Sequence, residues 1–226
     1  MDFITSVFQT AQENMNMDLQ LLEKCCSSAS QNKQLSFNDV APPSYFRSYF
    51  WPNPGITFPK GRTLPHEFKS FDIGYRLTGG GLVFHSPNDL VFSFIGALNH
   101  PELPIGFKEK VFWFSQLFQH TLSSLGIVSE MGSSSQEKNI LYCLHYPNPY
   151  ELLVNGHKVV AFAFRRYQRF FIMQGIIHIQ NGFNFFPESI GISVGLKGKI
   201  NATLIQESLH KTIQVYFNKG LKPYSI

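Results

Sequence analysis

A chain of 226 residues suits one large domain and can bury most of the surface it exposes when unfolded, so no disulfide framework or structural metal is needed to complete a core. The formal charge of +4, with no Lys/Arg block, argues against a nucleic-acid-binding stripe and leaves an acidic partner open. Hydrophobic residues make up 43% but charged residues only 15%, below the usual share of about a quarter, and 23 phenylalanines point to apolar clefts or a sticky interaction face.

The three cysteines, Cys25, Cys26 and Cys143, are odd in number and include an adjacent pair, which is not a disulfide pattern. A reducing cytosol is the simplest setting, so a cytoplasmic protein is expected. The opening Met-Asp-Phe-Ile-Thr carries no basic leader, so no signal peptide is expected. No run of about 18 apolar residues occurs, so no membrane span is expected either.

In chain order, residues 6–26 read as a helix, with Val7, Met15, Met17, Leu21 and Leu22 near helical spacing. Residues 27–43, rich in Ser, Gln, Asn and Pro, read as a loop. Residues 45–51 form a short aromatic strand ended by Pro52-Asn53-Pro54-Gly55, and residues 59–66 read as irregular. Residues 71–77 read as a strand, 79–81 as a sharp loop, and 82–85 and 90–95 as further strands. Residues 108–125 give the clearest helix, ended by Gly126. Residues 132–139 are a polar loop. Residues 150–154 and 157–164 flank Asn155-Gly156, the preferred two-residue hairpin turn. A strand over 170–179 and a helix over 204–217 complete the chain. Helices at both ends and mid-chain, with strands joined by short turns, predict an α/β or α+β domain with a mixed, mainly antiparallel sheet. Alternating βαβ units are absent, which argues against a doubly wound parallel fold.

Three places carry possible chemistry. Gly79-Gly80-Gly81, between two strands, lets backbone approach a ligand and lets successive N–H groups cradle an anion, with Arg76 beside it; a plain flexible connection explains the glycines equally well. The segment fits neither the dinucleotide fingerprint nor the Walker loop. Lys158 shares a strand face with Val160, Phe162 and Phe164, and either marks the strand's exposed end or enters a pocket; the exposed end is the simpler reading. Cys143 is either inert packing or a nucleophile with a lowered pKa, and His85, His145 and Lys158 are its candidate neighbours. Cys25-Cys26 reads as packing. No metal-ligand spacing links the Cys and His residues, so no metal site is expected.

Taken together, these segments resemble the biotin/lipoate ligase-like superfamily, in particular the lipoate–protein ligases and octanoyltransferases. Asn14-Met15 with Met17-Asp18 and Leu21-Leu22 is similar to the family's opening helix, and Tyr49-Phe50-Trp51 with Pro54 to its aromatic strand and turn. Arg76-x-Thr78-Gly79-Gly80-Gly81-x-Val83-x-His85 resembles its Arg-Arg-x-Thr-Gly-Gly-Gly-x-Val-x-His, lacking only the first arginine. Val154-Asn155-Gly156-His157-Lys158 resembles its Val-x-Gly-x-Lys, and Gly175 falls where the family has a glycine in the next strand.

The resemblance implies one catalytic domain over residues 1–226, a class II biotin/lipoate ligase-like fold, with no room for a C-terminal accessory domain. It implies that Lys158 contacts the reacting carbonyl and phosphate oxygens. Arg76, Thr78, Gly79, Gly80, Gly81, Val83 and His85 would form one wall of the acyl and adenylate site, and Val160, Ala161, Ala163 and Gly175 the other. It implies attachment of a lipoyl or octanoyl group to a lysine of a lipoyl domain, as in 2-oxoacid dehydrogenase complexes or the glycine cleavage H protein. The protein would act as a monomer. Ligases of this family activate lipoate or octanoate with ATP and Mg2+; Cys143, fifteen residues before Lys158, resembles instead the nucleophile of the cysteine-dependent octanoyltransferases. Biotin is disfavoured by the segment after the glycine loop. This chain departs from the pattern at Tyr75, Phe162, Phe164, Gln174 and Pro59. Those changes either reshape the acyl tunnel or mark a member that binds a lipoyl domain or acyl ligand without turnover.

Overall fold

The computed structural model describes residues 1–5, 9–31, 43–87, 89–133, 148–179, 196 and 200–218. Its elements are strand β1 (Asp2–Thr5), helix α1 (Ala11–Gln31), β2 (Tyr45–Phe50), β3 (Gly55–Pro59), a 3-10 turn (His66–Phe68), β4 (Asp72–Arg76), β5 (Val83–His85), β6 (Leu90–Ala97), α2 (Phe107–Ser123), β7 (Glu130–Met131), β8 (Leu152–Val154), β9 (His157–Tyr167), β10 (Phe170–Ile177) and α3 (Ala202–Asn218). The large sheet runs β1-β2-β6-β10-β9-β8-β7, and the small one β4-β3-β5. Among the described residues only β1–β2 and β3–β4 pair parallel. The expected α+β fold with a mixed, mainly antiparallel sheet is therefore observed. No helix among the described residues is long and apolar enough to cross a membrane.

The first helix begins later and ends later than its apolar periodicity predicts. Thr10 and Glu13 form a reciprocal cap: the Glu13 carboxylate accepts the Thr10 N–H at 2.8 Å, and Thr10 Oγ1 accepts the Glu13 N–H at 3.3 Å. At the far end Ser27 and Ser28, expected in a loop, are helical, and their hydroxyls donate back to the Glu23 and Lys24 carbonyls. Strands β1, β3 and β7 have no counterpart in the sequence reading. β3 is buried between β4 and β5, where only its neighbours show that it is a strand. Asn155 and Gly156 both adopt positive φ, 52° and 75°, which makes the tight turn expected between β8 and β9. The polar loop expected over 132–139 lies almost wholly outside the described residues.

The large sheet is covered on both faces. Helices α2 and α3 pack Phe114, Leu117, Phe118, Ile205, Leu209 and Ile213 against Phe92, Phe94, Phe171 and Met173. On the other face α1 sets Leu21, Leu22 and Cys25 against Ile95 and Ile172. Burial pushes the Cys25 thiol up to about 12, which suits packing and not nucleophilic chemistry. Strand alternation then divides β9. Phe162 and Phe164 turn to the helix side, their ring centroids 5.5 and 5.8 Å from those of Phe118 and Phe114. Ala161 and Ala163 turn to the opposite side, toward the small sheet.

Candidate active site

A cavity of about 100 Å³ opens between the small sheet, α1 and the middle of the large sheet. Met15, Val83, Val91, Ala161 and Ile176 make it apolar, and Arg76, His85, Asn148, Glu151 and Gln174 add polar groups. Gly79 and Gly80 of the loop lie over it. Gly80 has φ +98°, a backbone state that a side chain would strain, and a Cβ at Gly79 would meet nothing.

Of the residues expected at the site, the structure gathers Arg76, Gly79, Gly80, Val83, His85, Ala161, Ala163 and Gly175 around this cavity. Val160 is not among them: it is fully buried in the core beneath α2 and α3, because successive strand residues face opposite ways. Gly175 contributes backbone to the wall. Its missing side chain points away, where a Cβ would lie 2.4 Å from the Phe92 ring. Phe162 also contributes to the wall while its ring joins the helix-side core, so neither Phe162 nor Phe164 plugs the cavity. Tyr75, which replaces the family's arginine, is exposed and does not line it.

Arg76 lines the cavity, but its guanidinium braces the loop. It donates to the carbonyls of Thr57 at 2.7 Å, of Gly79 at 2.9 Å and of Gly81. Gly81 and Thr78 thus hold the loop in place and do not line the cavity. Thr78 donates its N–H and hydroxyl to Gln174 Oε1 at 3.2 and 3.1 Å. Gln174 in turn donates to Asp18 at 2.7 Å. Asp18 is buried, accepts from Ser93 at 2.7 Å and forms an ion pair with Arg47 at 3.1 Å. Arg47 also donates to the Asn14 carbonyl at 3.1 Å and to the Asn14 side chain. The polar positions of the opening helix therefore tie α1 to the glycine loop through Gln174, a residue noted in the sequence only as a departure.

His85 stacks on Trp51 with centroids 4.1 Å apart and shares a 2.8 Å hydrogen bond with Thr57 through Nε2. Burial, with His178 and Arg76 nearby, holds its pKa well below the usual histidine value, so the ring is neutral. Its Nδ1 is buried with no partner among the described residues.

Lys158 is buried, 3% exposed, which overturns the exposed-end reading. The cause is a bulge: Leu153 pairs with Lys158 but Leu152 pairs with Val160, so Val159 is extra and Lys158 turns off the face of Val160. Its ammonium lies 2.7 Å from the Glu151 carboxylate, and Glu151 lines the cavity. Sequence reasoning missed Glu151 as a site residue. The Asn155-Gly156 hairpin held part of the signal, since its register sets Leu153 opposite Lys158 and so brings Glu151, two residues earlier in the chain, into Lys158's neighbourhood. Cys143 and His145 lie outside the described residues. Among the described residues no group of three or more His, Cys, Asp or Glu gathers to hold a metal ion.

Comparisons with known proteins agree with this architecture. The fold is similar to that of a Thermoplasma acidophilum protein described as a putative lipoate protein ligase, with a TM-score of 0.68 at 12% identity, covering 96% of this chain and 86% of that one. It is similar also to a lipoate-protein ligase A solved with ATP, with a TM-score of 0.67 at 12% identity, covering 96% and 86%. Those likenesses bear out the class II biotin/lipoate ligase-like fold. In sequence, the chain is 26% identical over 186 residues to the octanoyltransferase LipM of Carboxydothermus hydrogenoformans, covering 79% of this chain and 64% of that protein. It is 33% identical over 121 residues to LipM of Brevibacillus brevis, covering 49% and 44%. The chain thus spans under two thirds of the length of these two relatives. Residues 67–213, well over half of the chain, match the family described as the lipoyl protein ligase A/B catalytic domain, and the chain belongs to that family.

Proposed function

We propose that this chain is a protein lipoylation enzyme that transfers an octanoyl or lipoyl group to a lysine of a lipoyl carrier domain. One observation carries the reading: an apolar cavity under an open glycine loop has Glu151 in its wall and Lys158 one hydrogen bond behind it. An alkyl chain suits the apolar walls, and the loop backbone admits the reacting end of the ligand. Lys158 then leaves Glu151 for the carbonyl oxygen as negative charge builds there. In this reading Arg76 and Thr78 keep the loop in shape through the contacts above.

Transfer from an acyl donor is favoured over ATP-driven activation, because the curated relatives are named octanoyltransferases. The Cys143 sulfur attacks the donor thioester, takes the acyl group and releases the donor thiol. The carrier's lysine amine then attacks the enzyme thioester, forming the amide and returning the thiol to Cys143. A Thermoplasma acidophilum ligase, 12% identical to this chain, is described with its E2 lipoyl domain, which supports lipoyl domains as the acceptor class. The glycine cleavage H protein is the second acceptor to try.

The test is the intact mass of an apo lipoyl domain. A gain of one octanoyl group from an octanoyl-loaded carrier without ATP is the expected result. A gain only with octanoate or lipoate plus ATP and Mg2+ makes the protein a ligase instead. No acyl gain under either regime, with tight carrier binding, makes it a binding protein and overturns the proposal.

A further inference from the structure

The acyl-cavity reading leaves Glu151 to be explained. Its Oε2 accepts from Lys158 Nζ at 2.7 Å and from the Asn148 N–H at 2.7 Å, and the Glu151 N–H returns to the Asn148 carbonyl at 3.0 Å. A closed turn, and not the lysine alone, therefore fixes the carboxylate. Glu151 and Asn148 both line the cavity, and Lys158 stands behind Glu151. Both side chains of the pair are buried, 2% exposed for Lys158 and 5% for Glu151.

This arrangement decides how charge is presented to a ligand. A buried lysine alone would attract a free carboxylate strongly, since Coulomb energies grow as the effective dielectric falls. Here its charge is already met by Glu151, which lies nearer the cavity. Arg76, in the wall among the described residues, is directed at the carbonyls of Thr57, Gly79 and Gly81, and His85 is neutral. An entering carboxylate meets like charge. An uncharged carbonyl meets no such repulsion.

We infer that Glu151 is a specificity-determining residue that selects uncharged acyl carbonyls over free carboxylates. The inference rests on the acyl-cavity reading. Octanoate and its uncharged counterpart octanamide are titrated calorimetrically into the wild-type protein and into Glu151→Gln and Glu151→Asp. Wild type is expected to bind octanamide at least as tightly as octanoate. Glu151→Gln keeps the hydrogen-bonding shape and removes the charge. It should shift the preference toward octanoate by about ten-fold or more, equivalent to ~1.4 kcal/mol. Glu151→Asp should keep the wild-type preference.

A wild-type preference for octanoate by about ten-fold overturns the inference, and needs no variant. So does a Glu151→Gln protein in which both ligands weaken together or neither changes, because a purely structural role moves both alike. Failure of all three proteins to bind either ligand, while thermal melts show them folded, overturns the acyl-cavity reading itself. Octanamide bound by all three with no change in preference overturns only the role of Glu151.

Discussion

Replacing Asp18 with alanine tests the buried network that joins α1 to the glycine loop. Asp18 accepts from Arg47, Ser93 and Gln174. Its removal leaves the buried Arg47 without its counter-charge, and removing one partner of such a pair costs about 3–5 kcal/mol. Arg47 keeps its contacts with Asn14 and sits over the Tyr49 ring at 4.0 Å, which places the expected loss near the lower end, ~3 kcal/mol. For a chain of this size each kcal/mol lowers the melting temperature by about 2–4 °C, so a fall of ~6–12 °C is expected. Circular dichroism melts measure it. The companion Asp18→Leu/Arg47→Met double variant removes both charges and should be more stable than Asp18→Ala, because no buried charge is then stranded. A loss under about 2 °C for Asp18→Ala, or a double variant that is worse than the single, refutes the argument. Gln174 also loses its anchor, so acyl transfer should fall further than stability alone explains.

Other outcomes follow from the same geometry. Lys158→Ala should lower acyl transfer by about 100-fold or more in the carrier mass assay, and Cys143→Ser should abolish an acyl-enzyme adduct in the intact mass; unchanged turnover in either variant removes that residue from the mechanism. Gly175→Val places its first side-chain carbon 2.4 Å from the Phe92 ring and 2.7 Å from the Ala161 carbonyl, and should cost about 1–3 kcal/mol in urea unfolding. Stability should also fall with acidity. His85 is held neutral in the fold, whereas in the unfolded chain it takes up a proton below about pH 6.5. Its contribution is therefore flat above that pH and declines below it, by up to about 1.4 kcal/mol per pH unit. His100, lowered to about 4 by burial, acts in the same direction between about pH 6.5 and about 4. Urea titrations of wild type and His85→Gln at pH 7.5, 6.5 and 5.5 check this, and identical slopes in the two proteins would contradict it.

Much of the fold is legible in local pattern. The second helix, the Asn155-Gly156 hairpin and the strands around the glycine loop lie where periodicity and turn chemistry put them, because each forms from contacts between near neighbours in sequence. The first helix shows the limit. Apolar spacing alone starts it early, whereas the Thr10–Glu13 cap starts it at Ala11, and it runs on to Gln31 through two serines that composition places in a loop. β3 and β7 are strands because of partners far along the chain. At the site, the glycine loop, Arg76 and His85 are readable as a motif, while the division of labour among them is not.

By itself, the sequence determined the family, the glycine loop, the hairpin and the presence of a lysine just past the turn, since those are properties of residue type and spacing. Only the tertiary structure decided what the lysine does. One extra residue in a strand pairing turns Lys158 away from the face of Val160 and into the core, against Glu151. Strand alternation likewise sends the rings of Phe162 and Phe164 to the helix side and leaves Ala161 and Ala163 facing the cavity. Register and burial arise from the pairing of distant segments, and no local pattern of residues encodes them.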